Sequence, residues 1–276
     1  MRILLTEVAA RHPAARPDAP LALRPLNLEV QAGEQLAVIG PSGAGKTTLL
    51  QVLACAMPPL QGELRLDGTQ PWALPRRALQ VLRGRLFLAP QVPPLPPRQR
   101  VVTSVLAARL PGQGLWASLR SLFYPSDIPG AYAALDRFDL ADKIFERVDR
   151  LSGGERQRVG LTRALLAPAS LWLIDEPLSA LDPTRATQAI SVLVQEARSR
   201  GVTLVATLHQ VDAALASFPR IVGLRDGLLA FDLPAAQVSQ DHLQRLYAQR
   251  EHELHGAADA PDRPAEQAPA TVLYCR

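Results

Sequence analysis

The chain has 276 residues, 47% hydrophobic and 20% charged, with 30 basic against 26 acidic side chains and a formal charge of +4. That apolar share over this length can bury one sizeable core and excludes a wholly disordered or fibrous chain. The positive charge is small and scattered, and its densest run (Arg76, Arg77, Arg83 and Arg85) has no interleaved aromatics to stack bases, so it reads as a solvated face rather than a nucleic-acid surface.

Residues 2–8 and 26–30 read as strands, and a Gly33-Glu34 turn leads into the buried run Leu36-Ala37-Val38-Ile39. A helix is expected from Lys46 to about residue 57, where Pro58-Pro59 stops it. Residues 63–67 alternate like an edge strand, and 85–88 form a short strand before the proline-rich loop 90–97. The stretch 98–150 then changes character, with helical patterns over 101–110, 115–123 and 130–138. Together with the next helix, 155–166, it predicts a helical subdomain of about 98–168 inserted into the core. A strand at 171–175, a helix at 184–200, strands at 203–207 and 221–224, an arm at 227–231 and a helix at 241–250 follow. Within 184–200, Ala186, Ile190, Leu193, Val194 and Ala197 recur at helical spacing as one buried stripe. The expected fold is α/β, a domain of 1–250 with an N-terminal antiparallel β portion; the Ala/Pro/Asp-rich 251–276 reads as a disordered tail.

Cys55 and Cys275 lie 220 positions apart and form no metal-ligand spacing, which fits a reducing compartment. No apolar stretch approaches the roughly 20 residues needed to span a bilayer. The apolar run at the start breaks too early for a signal peptide, so a soluble cytosolic chain is expected.

Two motifs carry the chemistry. Gly40-Pro41-Ser42-Gly43-Ala44-Gly45-Lys46-Thr47 matches G-x-x-x-x-G-K-[ST] between an apolar strand and a helix. Its glycines let backbone N–H groups face phosphate oxygens, and the helix N-terminus adds partial positive charge. Only Lys46 and Lys143 are lysine in this arginine-rich chain. Lys46 persists because a compact ammonium fits the nest on the β- and γ-phosphates and a planar guanidinium does not. Thr47 offers a hydroxyl to Mg²⁺, and Thr48 is expected to bind the nucleotide with residues 40–47. The second motif, Leu171-Trp172-Leu173-Ile174-Asp175-Glu176, is a buried strand ending in two carboxylates, Asp175 for Mg²⁺ and Glu176 to polarise the attacking water. Together they predict a nucleoside triphosphatase, and the absence of an Asn-Lys-x-Asp motif favours ATP.

Leu151-Ser152-Gly153-Gly154-Glu155-Arg156-Gln157 resembles the signature motif of ATP-binding cassette (ABC) ATPases, 20 residues before Leu171 as in that family. Gln91 resembles the family's Q-loop glutamine, Ser179-Ala180-Leu181-Asp182 its D-loop and His209 its switch histidine, so the likeness covers about residues 1–250. It implies a P-loop ATPase in which two copies pair head to tail. Leu151, Ser152, Gly153, Gly154 and Glu155 of one copy then close on the γ-phosphate held by the other. It also implies catalytic roles for Glu176, His209 and Gln91, with Gln91 beside Thr47 and Asp175 at Mg²⁺. The aromatic that stacks on adenine in the family is replaced by His12-Pro13.

Within the family, three stretches resemble the ATP-binding subunits of phosphonate importers: 115–123, with Trp116, Leu119 and Phe123; 207–215 around His209; and 220–227, with a closing Leu246-Tyr247. Trp116, Leu119 and Phe123 also fit a plain core stripe. Glu155 replaces a frequent glutamine, and Leu88-Ala89-Pro90 replaces the usual aromatic approach to Gln91. The resemblance implies an ATPase subunit at the cytoplasmic face of the inner membrane, beneath a permease fed by a solute-binding protein. A non-transport ABC ATPase of phosphonate metabolism, or an importer ATPase for another solute, is the alternative.

Overall fold

The computed structural model describes residues 1–12, 14–16, 18–114 and 127–248. The helical pattern at 115–123, with Trp116, Leu119 and Phe123, the tail from 251 and Cys275 lie outside the described residues.

Strands β1 (Ile3–Ala10), β2 (Leu23–Val30), β3 (Gln35–Ile39), β4 (Gln61–Leu66) and β5 (Leu86–Ala89) precede the helical region. Strands β6 (Leu171–Asp175), β7 (Thr203–Leu208), β8 (Arg220–Arg225) and β9 (Leu228–Pro234) follow it. They form an antiparallel sheet of order β2-β1-β4 and a larger sheet of order β5-β6-β7-β3-β8-β9. In the larger sheet β5, β6, β7, β3 and β8 run parallel, and β9 closes one edge antiparallel. The β8–β9 hairpin turns through Asp226 and Gly227, both at positive φ (50° and 78°), as a two-residue turn between right-twisted strands requires.

Successive residues of the parallel strands feed different cores. Ala37 and Ile39 of β3 join Trp172 and Ile174 of β6 in one cluster, and Leu36 and Val38 join Leu171 and Leu173 in another. A parallel sheet covered on both faces loses its polar alternation, which is why these strands read as continuous apolar runs. Among the described residues the α-helices are α1 (Lys46–Leu53), α2 (Arg76–Arg83), α3 (Val101–Leu106), α4 (Ile128–Asp136), α5 (Gly153–Leu166), α6 (Pro183–Ser199), α7 (Val211–Ser217) and α8 (Gln240–Leu246). The first cluster also takes Val101 and Val105 of α3, Leu135 of α4 and the α6 stripe of Ala186, Ile190, Leu193, Val194 and Ala197. The second takes Leu49 and Leu50 of α1 with Ile3, Leu5 and Leu28 of the small sheet. No helix of the described residues is long and apolar enough to cross a membrane.

Several boundaries differ from expectation for local reasons. Helix α1 stops at Leu53, ahead of Pro58-Pro59: Cys55 turns left-handed at φ 53°, and its carbonyl accepts the Arg83 guanidinium at 2.7 and 3.1 Å. The pattern at 101–110 is α-helical only to Leu106 and tightens to a 3₁₀ turn over Ala107–Gly112. Helices α2 and α7 are short, and each lays a narrow stripe on the core: Leu82 beside a partly buried Leu79 in α2, and Val211 and Ala214 beside a partly buried Leu215 in α7.

Candidate active site

Four parallel strands, β3, β5, β6 and β7, end on the same edge of the sheet, and their exits carry the phosphate loop, Gln91, the Asp175-Glu176 pair and His209. The crevice beyond the carboxyl ends of strands is where open α/β sheets take ligands.

The phosphate loop is wedged between β8 and the segment entering β2. A Cβ on Gly40 (φ 152°) would overlap the Leu224 carbonyl, and one on Gly45 (φ 103°) the Ala22 carbonyl, so both positions need glycine. Pro41, Ser42, Gly43 and Ala44 form the turn, closed by Ala44 N–H donating to the Pro41 carbonyl at 3.1 Å. Lys46 is buried, and its Nζ donates to the carbonyls of Gly40 (2.7 Å) and Pro41 (3.1 Å). Thr47 hydrogen-bonds the Asp175 carboxylate, and Thr48 is buried in the first turn of α1. The first N–H groups of α1 open toward this loop, where an anion satisfies them.

Asp175 and Glu176 occupy different settings although they are adjacent. Asp175 is buried, and burial pushes its carboxyl above the usual range against the hydrogen bonds from Thr207 and Thr47. Glu176 sits at φ 46°, left-handed for a residue with a Cβ, at a cost on the order of 1 kcal/mol. That turn sends its carboxylate away from Asp175. Oε1 accepts from His209 Nε2, and Oε2 accepts from Gln91 Nε2 at 2.7 Å. Burial alone would raise this carboxyl, but the bond and charge of His209, then Lys46 and Gln91, outweigh it and hold Glu176 below the usual range. It is therefore ionised at neutral pH, as a general base must be.

The signature segment caps α5. Ser152 Oγ accepts from Glu155 N–H at 3.2 Å, while the Glu155 carboxylate accepts from Ser152 N–H at 2.7 Å, a reciprocal capping box. That backbone bond is the largest cause of a lowered Glu155 pKa, and the Lys143 charge adds to it, which gives the second lysine a place beside the signature. Leu151 is buried, Gly153 faces open space, and Gly154 packs against the Ala180 carbonyl of the 179–182 segment. Asp182 accepts from Arg185 N–H and caps α6. His12 is exposed, its Nδ1 accepting from Ala14 N–H at 3.2 Å, and no described contact joins it to the phosphate loop.

Lys46, Thr47, Asp175, Glu176, Gln91 and His209 thus form one connected group, with the signature on a separate helix and His12 on a separate loop. Sequence reasoning missed Thr207, whose hydroxyl donates to Asp175 Oδ1 at 2.6 Å and accepts from Glu176 N–H at 3.0 Å. What brings it to the site is register: Asp175 ends β6 and pairs with Thr207 on β7.

A phosphate loop and an acidic strand end on the parallel strands of one sheet, with a capped small-residue helix start on a separate helix, define a P-loop nucleoside triphosphatase of the cassette type. The family model described as ABC transporter matches residues 23–179, and the chain belongs to that family. It is 69% identical to a protein of Polaromonas sp. strain JS666 named Phosphonates import ATP-binding protein PhnC, over 100% of both chains. It is 65% identical, again over 100% of both, to Phosphonates import ATP-binding protein PhnC 2 of Albidiferax ferrireducens. Among solved structures, the dimeric post-hydrolysis state of the ATP-binding cassette MJ0796 bound to ADP and Pi superposes with a TM-score of 0.73 at 25% identity, covering 84% of this chain and 98% of that one.

Proposed function

We propose that this chain is the ATP-binding and ATP-hydrolysing subunit of a phosphonate importer, with its relatives' full-length match at 69% identity as the observation that carries the reading. Two copies work head to tail at the cytoplasmic face of the membrane, beneath permease subunits supplied by a solute-binding protein. The dimeric cassette with ADP and Pi supports the pairing.

In this reading Lys46 leaves its loop carbonyls for the β- and γ-phosphates, and the N–H groups of residues 42–48 cradle the remaining oxygens. Glu176 takes the proton of the attacking water or orients it, and His209 holds both Glu176 and the γ-phosphate. Gln91 reports the state of Glu176 to the helical subdomain through the 90–97 loop. Leu151 to Glu155 of the second copy complete the γ-phosphate site, and His12 stacks on adenine. The Thr47 hydroxyl, the Asp175 carboxylate and the Gln91 amide oxygen form an all-oxygen donor set, which suits Mg²⁺. When bound, Mg²⁺ neutralises charge on the phosphate oxygens.

The test is uptake of radiolabelled phosphonate by cells lacking this gene, complemented with wild type or Lys46→Ala. Wild type should restore uptake and Lys46→Ala should not. Normal uptake in the deletion strain would overturn the import assignment. If growth on phosphonate then still failed, the non-transport ATPase would replace it.

A further inference from the structure

One hydroxyl joins the two carboxylates that the proposed reaction uses separately. Strands β6 and β7 run parallel with Asp175 paired to Thr207, so the two side chains leave the same face at the same height. Thr207 is 0% exposed, a place where a hydroxyl needs partners. It has two: its proton goes to Asp175 Oδ1, 2.6 Å away, and its oxygen accepts the Glu176 N–H at 3.0 Å. Glu176 lies one residue beyond β6, at the left-handed φ of 46°. A glutamate stays in that conformation only where its surroundings hold it. Asp175 also bonds Thr47 of the phosphate loop. A continuous line of bonds therefore runs from Thr47 through Asp175 and Thr207 to the backbone of Glu176.

We propose that Thr207 is a positioning residue for ATP hydrolysis. Through one hydroxyl it sets the orientation of the Asp175 carboxylate and holds the backbone turn that aims Glu176 at His209 and Gln91. The inference rests on the proposed roles of Asp175 and Glu176. It makes no claim of contact between Thr207 and the nucleotide.

Two substitutions separate this role from simple packing. Thr207→Val keeps the shape and removes both bonds, whereas Thr207→Ser keeps both bonds and removes only a methyl. If Thr207 matters through the hydroxyl, Val is the damaging change; if it matters as core filling, Ser is. With the full-length chain, steady-state ATP hydrolysis is measured beside Mn²⁺ binding in the presence of ATP, followed by electron paramagnetic resonance. The Val variant should lose about 10- to 100-fold in kcat and about 10-fold in Mn²⁺ affinity, the usual cost of removing a group that orients a metal ligand. Its KM for ATP should stay within about threefold of wild type, because the phosphate loop is untouched. The Ser variant should match wild type within about threefold on all three measures. A Val variant with wild-type kcat and Mn²⁺ affinity, or a Ser variant as impaired as Val, would overturn the proposal. If circular dichroism shows the Val chain unfolded, Thr207→Ala replaces it under the same criteria. Failure of the roles given to Asp175 and Glu176 would look different: Glu176→Gln would then hydrolyse ATP at the wild-type rate.

Discussion

Asp175 and Glu176 both lose water on folding, yet their pKa values move in opposite directions. Burial wins at Asp175; at Glu176 the His209 bond and charge, with Lys46 and Gln91, win over burial. The linkage signs follow. A carboxyl whose pKa rises on folding binds its proton more tightly in the native state, so stability falls as pH climbs through and above the ordinary carboxylate range. A carboxyl whose pKa is lowered contributes stability above that range, lost as pH falls through its folded value. Asp175→Asn removes the first penalty and leaves the second contribution in place. Without nucleotide, this variant should melt at a higher temperature than wild type at neutral pH. The gain should vanish once the pH falls below the ordinary carboxylate range, and ATP turnover should be lost throughout. A lower melting temperature at neutral pH would mean that attraction between Asp175 and Lys46 outweighs the cost of burial. Functional sites commonly give up stability in this way.

At the scale of elements, α5 is where the site's loops meet. Its first turn holds the Ser152–Glu155 capping box, Gly154 lies under the Ala180 carbonyl, and Gly160 lies under Pro93 of the loop that carries Gln91. A Cβ on Gly160 would sit 2.7 Å from both Cβ and Cγ of that proline ring. A ring cannot rotate aside, so Gly160→Ala should destabilise by about 1–3 kcal/mol. Pro93→Gly should relieve it, and thermal melts of the two single variants and the double should give a coupling of about 1 kcal/mol or more. Simple additivity would show that the loop yields freely. The same contact marks how far the sequence could be read. The phosphate loop, the apolar run ending in Asp175-Glu176 and the α6 stripe were legible because each is written in a few adjacent or periodic residues. Helices α2 and α7 were not, since each spans only about two turns and its core-facing stripe, Leu79 and Leu82 or Val211, Ala214 and Leu215, is too short to stand out from its neighbours. Thr207 and the Gly160–Pro93 seat were not, because each acquires its role from a partner 31 to 67 positions away, across a strand register or a loop that no local pattern encodes.

At the scale of the molecule, the strand order β5-β6-β7-β3-β8-β9 gives the site a long-range dependence. Strand β3, which launches the phosphate loop, has β7 and β8 as its two neighbours, both more than 160 residues later in the chain. Gly40 itself packs on the Leu224 carbonyl at the end of β8. Chains cut after α6, at residue 199, lack both flanking strands and should not retain a fluorescent ATP analogue, whereas chains reaching residue 248 should. Retention by the short form would show that the loop holds its shape without the sheet. During synthesis the consequence is one of timing. The phosphate loop leaves the ribosome well before β7 and β8, and it has no finished shape until residue 225 has cleared the exit tunnel. Until then the nascent chain has no finished seat for a nucleotide.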